Sequence, residues 1–258
     1  MFTIFACIKY VKAEMVSMDL QYGSNYAINP YDLFMLEQLV ELKKKYSCRI
    51  VGVTMGPMSC LQTLQRGIAL GLDDVYLVSD TCFSASDTYA TSYILSKALT
   101  QIGPADLYAF GERAIDGETG QVPIGIASRL DLQCITGVKE LIAVEKEKAV
   151  IKRQFAEKLE TMEITTPCVL SFRGFKTKEL PISLLKLKQS QRYSPIVLNR
   201  EALQIEKQYC GQHGSKTIVK NIAHTIPKNN NTTVEYIEGT PQAKADTFRK
   251  LILEKEKE

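Results

Sequence analysis

Ala105-Asp106-Leu107-Tyr108-Ala109-Phe110-Gly111-Glu112-Arg113-Ala114-Ile115-Asp116-Gly117-Glu118-Thr119-Gly120-Gln121-Val122-Pro123-Ile124-Gly125-Ile126-Ala127 reads as a short apolar strand, a glycine-punctuated polar loop and the start of a helix. In an α/β protein this is where an anion is held. The free N–H groups and the positive end of the helix dipole face such a loop, and open α/β sheets place ligands beyond the carboxyl ends of their strands. Gly111, Gly117 and Gly120 permit close backbone approach, while Thr119 and Gln121 bring neutral hydrogen-bonding groups to the helix start. Asp116 and Glu118 would repel a phosphate unless they turn away. They are assigned to capping or to the sugar and base side, with Arg113 offsetting part of their charge. The loop is neither G-x-G-x-x-G nor a Walker A, and no lysine stands beside it in the sequence. Its spacing leaves two readings open: a phosphate cradle, or an ordinary βα turn.

Outward from this stretch the chain alternates strand and helix. Phe2–Ile8 is a first strand, and Asn29-Pro30-Tyr31-Asp32 opens a helix with Asn29 as the expected N-cap and Pro30 at the first position. Leu33, Leu36, Leu39 and Val40 lie on one face of it, and Lys43-Lys44-Lys45 suit its dipole at the end. Arg49–Met55 is a second strand, turned by Gly56-Pro57 into a helix that ends at Gly71. Val75–Val78 is a third strand, residues 87–102 a third helix, and Asp106–Phe110 a fourth strand. Repeated units of this length predict a doubly wound α/β fold, a mainly parallel sheet of Rossmann-like, adenine-nucleotide-binding type.

After residue 131 the pattern changes. Val138–Val144 and Ala149–Phe155 read as a hairpin around Glu145-Lys146-Glu147-Lys148, and Pro167–Phe172 as another short strand. Residues 176–240 are poor in periodicity and rich in Lys, Gln, Asn and Ser, Lys228–Thr233 above all, and are read as an extended arm. A last helix begins at Thr240-Pro241 and carries Ala245, Phe248, Leu251 and Ile252 on one side. The expected organisation is a nucleotide-binding domain over 1–175 and a docking loop, arm and helix over 176–258.

Composition excludes several classes. With 258 residues, 45% of them apolar, the chain can bury a substantial core. A net charge of +3, from 32 basic and 29 acidic side chains, supplies no global field toward nucleic acid or a membrane surface. The seven cysteines form no C-x-x-C pair and sit among apolar neighbours, which reads as small core hydrophobes in a reducing compartment and not as a metal site. His213 and His224 have no catalytic spacing. No apolar run approaches the ~20 residues needed to span a bilayer, and the N-terminal segment lacks a signal-peptide pattern. A cytoplasmic location without membrane insertion is expected.

Three linked elements carry a family resemblance. Ala114-Ile115-Asp116-Gly117-Glu118-Thr119-Gly120-Gln121-Val122 resembles the A-I-D-G-D-T-G/A-Q-V signature of the β subunit of electron transfer flavoprotein. Asn29-Pro30-Tyr31-Asp32 is similar to that family's N-P-[FY]-[DE] element. Val53-Thr54-Met55-Gly56-Pro57 followed by Ala69-Leu70-Gly71-Leu72-Asp73-Asp74 resembles its strand, G-P, helix and A-x-G-x-D passage, and Ile8-Lys9 its opening I-K. The likeness runs in order over about residues 1–200.

The resemblance implies an electron carrier without catalytic residues of its own, paired as a heterodimer with an α subunit that carries the redox FAD. It implies a structural AMP in the β subunit, or a second FAD there in electron-bifurcating members. By position, the contacts would be Cys7, Asn29, Asp32, Met55, Asp116, Gly117, Glu118, Thr119, Gly120, Gln121, Val122 and Ala127. It further implies a flavin dehydrogenase partner, of acyl-CoA type, docked through a leucine. Leu185, with Leu184 beside it, would fill that role or else pack against the α subunit. Two departures stand out: Pro123 and Gly125 are shifted from the usual Gly-Pro after Gln-Val, and Glu179–Leu185 lacks the arginine and tyrosine of E-P-R-Y. A stand-alone ATP-binding module of related fold is the remaining alternative, against which the long arm and the missing lysine argue.

Overall fold

The structure, a computed structural model, describes residues 1–20, 25–178, 181–218 and 237–255. Met1–Ile218 form one compact unit and Val219–Glu258 a second. The first unit opens with β1 (Phe2–Cys7), a small antiparallel pair β2 (Tyr10–Lys12) and β3 (Tyr26–Ile28), and helix α1 (Pro30–Lys45). It continues through β4 (Cys48–Met55), α2 (Leu61–Leu70), β5 (Asp74–Val78), α3 (Thr88–Ile102), β6 (Leu107–Gly111) and α4 (Gln121–Leu130). Then come β7 (Gln133–Glu145), β8 (Lys148–Phe155), β9 (Lys158–Thr165), β10 (Cys168–Phe172), α5 (Leu184–Ser190), β11 (Ile196–Leu198) and a single turn, α6 (Gly211–Gly214).

Nine strands form one sheet in the order β11-β5-β4-β1-β6-β10-β7-β8-β9. From β11 to β7 every pairing is parallel, and β8 and β9 add an antiparallel extension. Alternate residues of the central strands feed two cores, as a sheet covered on both faces requires. Ile4, Ile50, Leu107 and Leu170 meet Leu33, Leu36 and Leu39 of α1 and Leu64 of α2. Phe5, Val51, Tyr108 and Val169 meet Ile94 and Leu99 of α3 and Ile126 of α4. The doubly wound fold is thus as the periodicity predicts.

The expected hairpin is present, with Val144 opposite Ala149 and Glu145 opposite Lys148. β9 was not expected: Lys-Leu-Glu-Thr-Met-Glu-Ile-Thr is a polar edge strand, mostly exposed, so it lacks a hydrophobic run. β7 is long because its first half pairs with β10 and its second with β8. Gly137 accommodates the change of partner at φ +76°, where a Cβ would lie 2.5 Å from the Gln154 carbonyl oxygen.

The featureless arm expected from residue 176 is corrected. α5 and β11 belong to the first unit, which runs to Ile218. β11 extends the sheet beyond β5, pairing Ile196 with Tyr76 and Leu198 with Val78. Just before it, the Tyr193 hydroxyl accepts the Val75 N–H at 3.0 Å and lies 3.2 Å from Asp74 Oδ1. A three-residue strand is too short to show a period. The Asn-rich segment at 228–233 lies outside the described residues. In the second unit, α7 (Pro241–Lys255) begins as expected, with Thr240 Oγ1 accepting the Ala243 N–H at 3.3 Å. The Leu251 and Ile252 side chains fall outside the description.

The chain runs from β1 outward to β4 and β5, then returns to place β6 on the other side of β1. This reversal is the topological switch point. Asp32, in the first turn of α1, closes it: Oδ2 accepts the Lys9 N–H at 2.8 Å and Oδ1 the Gly111 N–H at 2.9 Å. The carboxyl group is almost fully buried. Burial pushes its pKa up to about 6, against the opposing effect of the N–H donors of Lys9, Asn29 and Gly111. Gly111 has no side chain because none fits: a Cβ would strike Asp32 Oδ1 and stand 2.8 Å from both the Asp32 nitrogen and the Tyr31 carbonyl carbon.

Gly111→Ala should therefore destabilise the chain by about 1–3 kcal/mol through overpacking, read as a lowered urea midpoint. The Asp32 carboxyl also sets a pH dependence. Its folded pKa of about 6 exceeds the ~3.9 of an unfolded chain, so the folded state binds more protons between those values. Its contribution to stability is complete below the unfolded pKa and is lost as pH rises through the folded one. Denaturant titrations of wild type and Asp32→Asn between about pH 7.5 and 5 should diverge, wild type gaining relative to the variant as pH falls; parallel curves would contradict the assignment.

Candidate functional site

Beyond β6 the loop 112–120 is shaped from below by the residues around the start of α1. Asn29 sits at the N-cap position of α1, but its side chain makes no cap bond. Instead Nδ2 donates to the Arg113 carbonyl at 2.8 Å, and Oδ1 accepts the Ile115 N–H at 3.3 Å. Arg113 Nε donates to the Tyr31 hydroxyl at 3.0 Å with its guanidinium 5.4 Å from the Tyr31 ring centroid, and that ring meets Phe175 edge-on at 5.1 Å. Arg113 is thus directed to an aromatic platform, and the charge of Asp116 is met by another cation. Lys9 Nζ lies 2.6 Å from Asp116 Oδ1.

Lys9 was missed by the sequence reading because it is distant in the chain; the fold carries it from the end of β1 to the loop. It also joins the two motifs through its backbone. Its N–H donates to Asp32 and its carbonyl accepts the Asn29 N–H at 3.0 Å. The loop then tightens on itself: the N–H groups of Gly117 and Glu118 converge on the Ala114 carbonyl at 3.3 and 2.8 Å. Glu118 and Gly120 take positive φ, +51° and +62°, which turns the chain sharply into α4.

Gly120 occupies the N-cap position of α4 and has no side chain to cap it. Thr119 Oγ1 lies 3.5 Å from the Gln121 nitrogen. Pro123, at the third helical position, brings no N–H. Asp116, Gly117, Glu118, Thr119 and Gln121 are exposed, while Gly120 and Val122 are partly covered. Gln121 Oε1 accepts the Thr88 hydroxyl at 3.1 Å, tying the cradle to the start of α3. The positive end of α4 is therefore left open to an anion.

The other expected contacts fall into three groups. Cys7 and Met55 stand at the carboxyl ends of adjacent strands, with Cys7 buried and its thiol held well above the ordinary range by burial and then by Asp32. Burial therefore disfavours its thiolate form. Asn29 and Asp32 lie beneath the loop with their oxygens and amide committed to backbone groups. Ala127 is in the core facing the sheet. Leu184 and Leu185 are elsewhere, on the first turn of α5, capped by Ser183 Oγ at 3.2 Å from the Lys186 nitrogen; they are 85% and 67% exposed. Among the described residues no group of three or more His, Cys, Asp or Glu is arranged to hold a metal, and no helix is long and apolar enough to cross a membrane.

This geometry stands beside clear similarity to known proteins. The profile of the electron transfer flavoprotein domain matches residues 20–189. The chain is 35% identical to protein FixA of Azotobacter vinelandii over 225 residues, 85% of this chain and 79% of the relative. It is 32% identical over 201 residues to the electron transfer flavoprotein subunit beta of Thermoanaerobacterium thermosaccharolyticum, covering 78% and 76% of the two chains. It is 31% identical over 193 residues to the caffeyl-CoA reductase-Etf complex subunit CarD of Acetobacterium woodii, covering 74% and 73%. The clamped loop and the N-P-Y-D element both lie inside the matched region, and the chain belongs to the electron transfer flavoprotein family as an electron-transfer subunit of β type.

Proposed function

We propose that this subunit pairs with a larger, FAD-carrying α subunit and relays electrons from an acyl-CoA-type dehydrogenase to a downstream acceptor, holding an AMP in the cradle of residues 116–122. The observation that carries the reading is the uncapped start of α4 at the end of a loop clamped by Asn29 and Lys9. A nucleotide phosphate fits there: backbone donors, positive-φ turns and an offset carboxylate are what a singly placed anion needs. The flavin, when bound, supplies the redox chemistry. The residues of this chain orient and hold. Asp32 and Asn29 fix the floor, Lys9 neutralises Asp116, and Thr119, Gln121 and the α4 amides face the ligand.

The caffeyl-CoA reductase in the name of one relative supports a partner that acts on CoA thioesters. The exposed Leu184 and Leu185 support docking at α5, since two adjacent leucines left this open are unusual on a folded surface. A lysine that is already paired with a carboxylate is poorly placed to drive phosphate cleavage. That disfavours a stand-alone ATP-hydrolysing module.

Co-expression with the α subunit, followed by acid release of ligands, should yield a heterodimer with one FAD and one AMP per pair. Two flavins without AMP would replace AMP by a second FAD in the cradle; recovery of neither nucleotide would refute the reading. Lys9→Met should change stability by no more than about 1 kcal/mol, the range of exposed ion pairs. It should nevertheless raise amide exchange across 114–120 and lower AMP retention. In the dehydrogenase-driven assay, Leu185→Ala should raise KM for the subunit pair by about tenfold, which corresponds to about 1.4 kcal/mol, with kcat unchanged.

A further inference from the structure

All seven cysteines are unlinked, yet two of them, 128 positions apart, are in contact: Cys82 and Cys210 have their sulfurs 3.3 Å from one another. Cys82 lies in the turn between β5 and α3, and Cys210 in the segment that follows β11. The two backbones are held together on every side of this pair. Ser79 N–H donates to the Leu198 carbonyl at 3.0 Å, and Asp80 accepts the N–H of Cys82 through Oδ1 at 3.0 Å and that of Arg200 through Oδ2 at 3.1 Å. On the far side, Gly211 N–H donates to Ser86 Oγ at 3.1 Å, and Asp87 Oδ2 accepts the N–H groups of Lys216 and Thr217 at 2.7 and 2.9 Å. Gly211 permits this approach: at φ +59°, a Cβ would lie 2.5 Å from the Cys82 carbonyl oxygen.

From this arrangement we infer that Cys82 and Cys210 form an oxidation site that closes to an intramolecular disulfide. The sulfurs of a disulfide lie about 2.05 Å apart, so closure needs a sulfur displacement of roughly 1.3 Å, within reach of side-chain rotation. Cys82 is partly exposed and is the sulfur that meets the oxidant, while Cys210 is buried beneath it and resolves the intermediate. With a peroxide as oxidant, the Cys82 thiolate attacks one oxygen, the O–O bond breaks and hydroxide leaves. The resulting sulfenic acid then reacts with the Cys210 thiol, forming the S–S bond and releasing water. Two thiols are oxidised and one peroxide is reduced to two waters.

Burial, then the adjacent Cys210 and the Asp80 carboxylate, push the Cys82 thiol well above the ordinary range. The thiolate is therefore scarce at neutral pH, and the site oxidises slowly there and faster as pH rises. The bond would fasten the segment after β11 to the turn that leads into α3. Thr88, at the end of that turn, also contacts the cradle through Gln121.

The test is to treat the full-length chain with hydrogen peroxide at about pH 7 and 9, alkylate the remaining thiols, and map peptides without reduction. The expected result is a peptide pair linked through Cys82 and Cys210, formed faster at the higher pH, cleaved by dithiothreitol, and absent from Cys82→Ser. The intact chain should be lighter by two hydrogens. Recovery of both residues alkylated after treatment, or of Cys82 over-oxidised with Cys210 still alkylated, would overturn the inference. The wild-type map is decisive by itself should the substituted chain fail to fold.

Discussion

One buried carboxylate connects the sheet to the site. Asp32 accepts an N–H from Lys9, two residues past β1, and another from Gly111, the last residue of β6, the two strands on either side of the point where strand order reverses. A parallel sheet leaves unpaired amides at such a point, and an unmet buried amide costs about 1–3 kcal/mol. A carboxylate meets two at once. The cost appears in its own titration, with the acid pushed up to about 6 by burial, and in the requirement for glycine at position 111. The N-P-Y-D element is thus structural at its floor: proline starts the helix, asparagine grips the loop above, and aspartate seals the sheet below.

Charge explains how a loop with two acids can serve an anion. Asp116 is paired with Lys9 across 2.6 Å, and Arg113 lies against Tyr31. An exposed ion pair contributes about 0–1 kcal/mol to stability, so its value is positional: it fixes the loop and removes one like charge from the path of a phosphate. What remains open is the start of α4, with glycine at its cap. On the reading proposed above, such an arrangement would hold a nucleotide without activating it, the redox chemistry being left to a flavin.

The fold was legible where periodicity was strong. The β1 to β6 alternation, the helix beginning at Pro30 and the hairpin after Gly137 follow from apolar spacing and turn residues. β2, β3, β9 and β11 were not, because β9 is a polar edge strand and the other three have only three residues each. The loop itself could be read from Gly117, Thr119 and Gly120. Lys9 could not, since nothing in its local sequence announces that the fold brings it to Asp116, and the missing lysine near the loop was missing only in sequence. Asn29 illustrates the converse. Its residue type and position predicted a cap, but tertiary contacts with Arg113 and Ile115 claimed both ends of its amide.

The central claim is that residues 116–122, held by Lys9, Asn29 and Asp32, form the floor of a nucleotide site at the start of α4. A crystal structure of the heterodimer purified with its natural ligands tests it most directly. The account predicts phosphate density within hydrogen-bonding distance of the Gln121 and Val122 amides, with the Lys9–Asp116 pair intact beneath it. Density for the nucleotide elsewhere on this subunit, or a partner side chain capping α4 in its place, would contradict it.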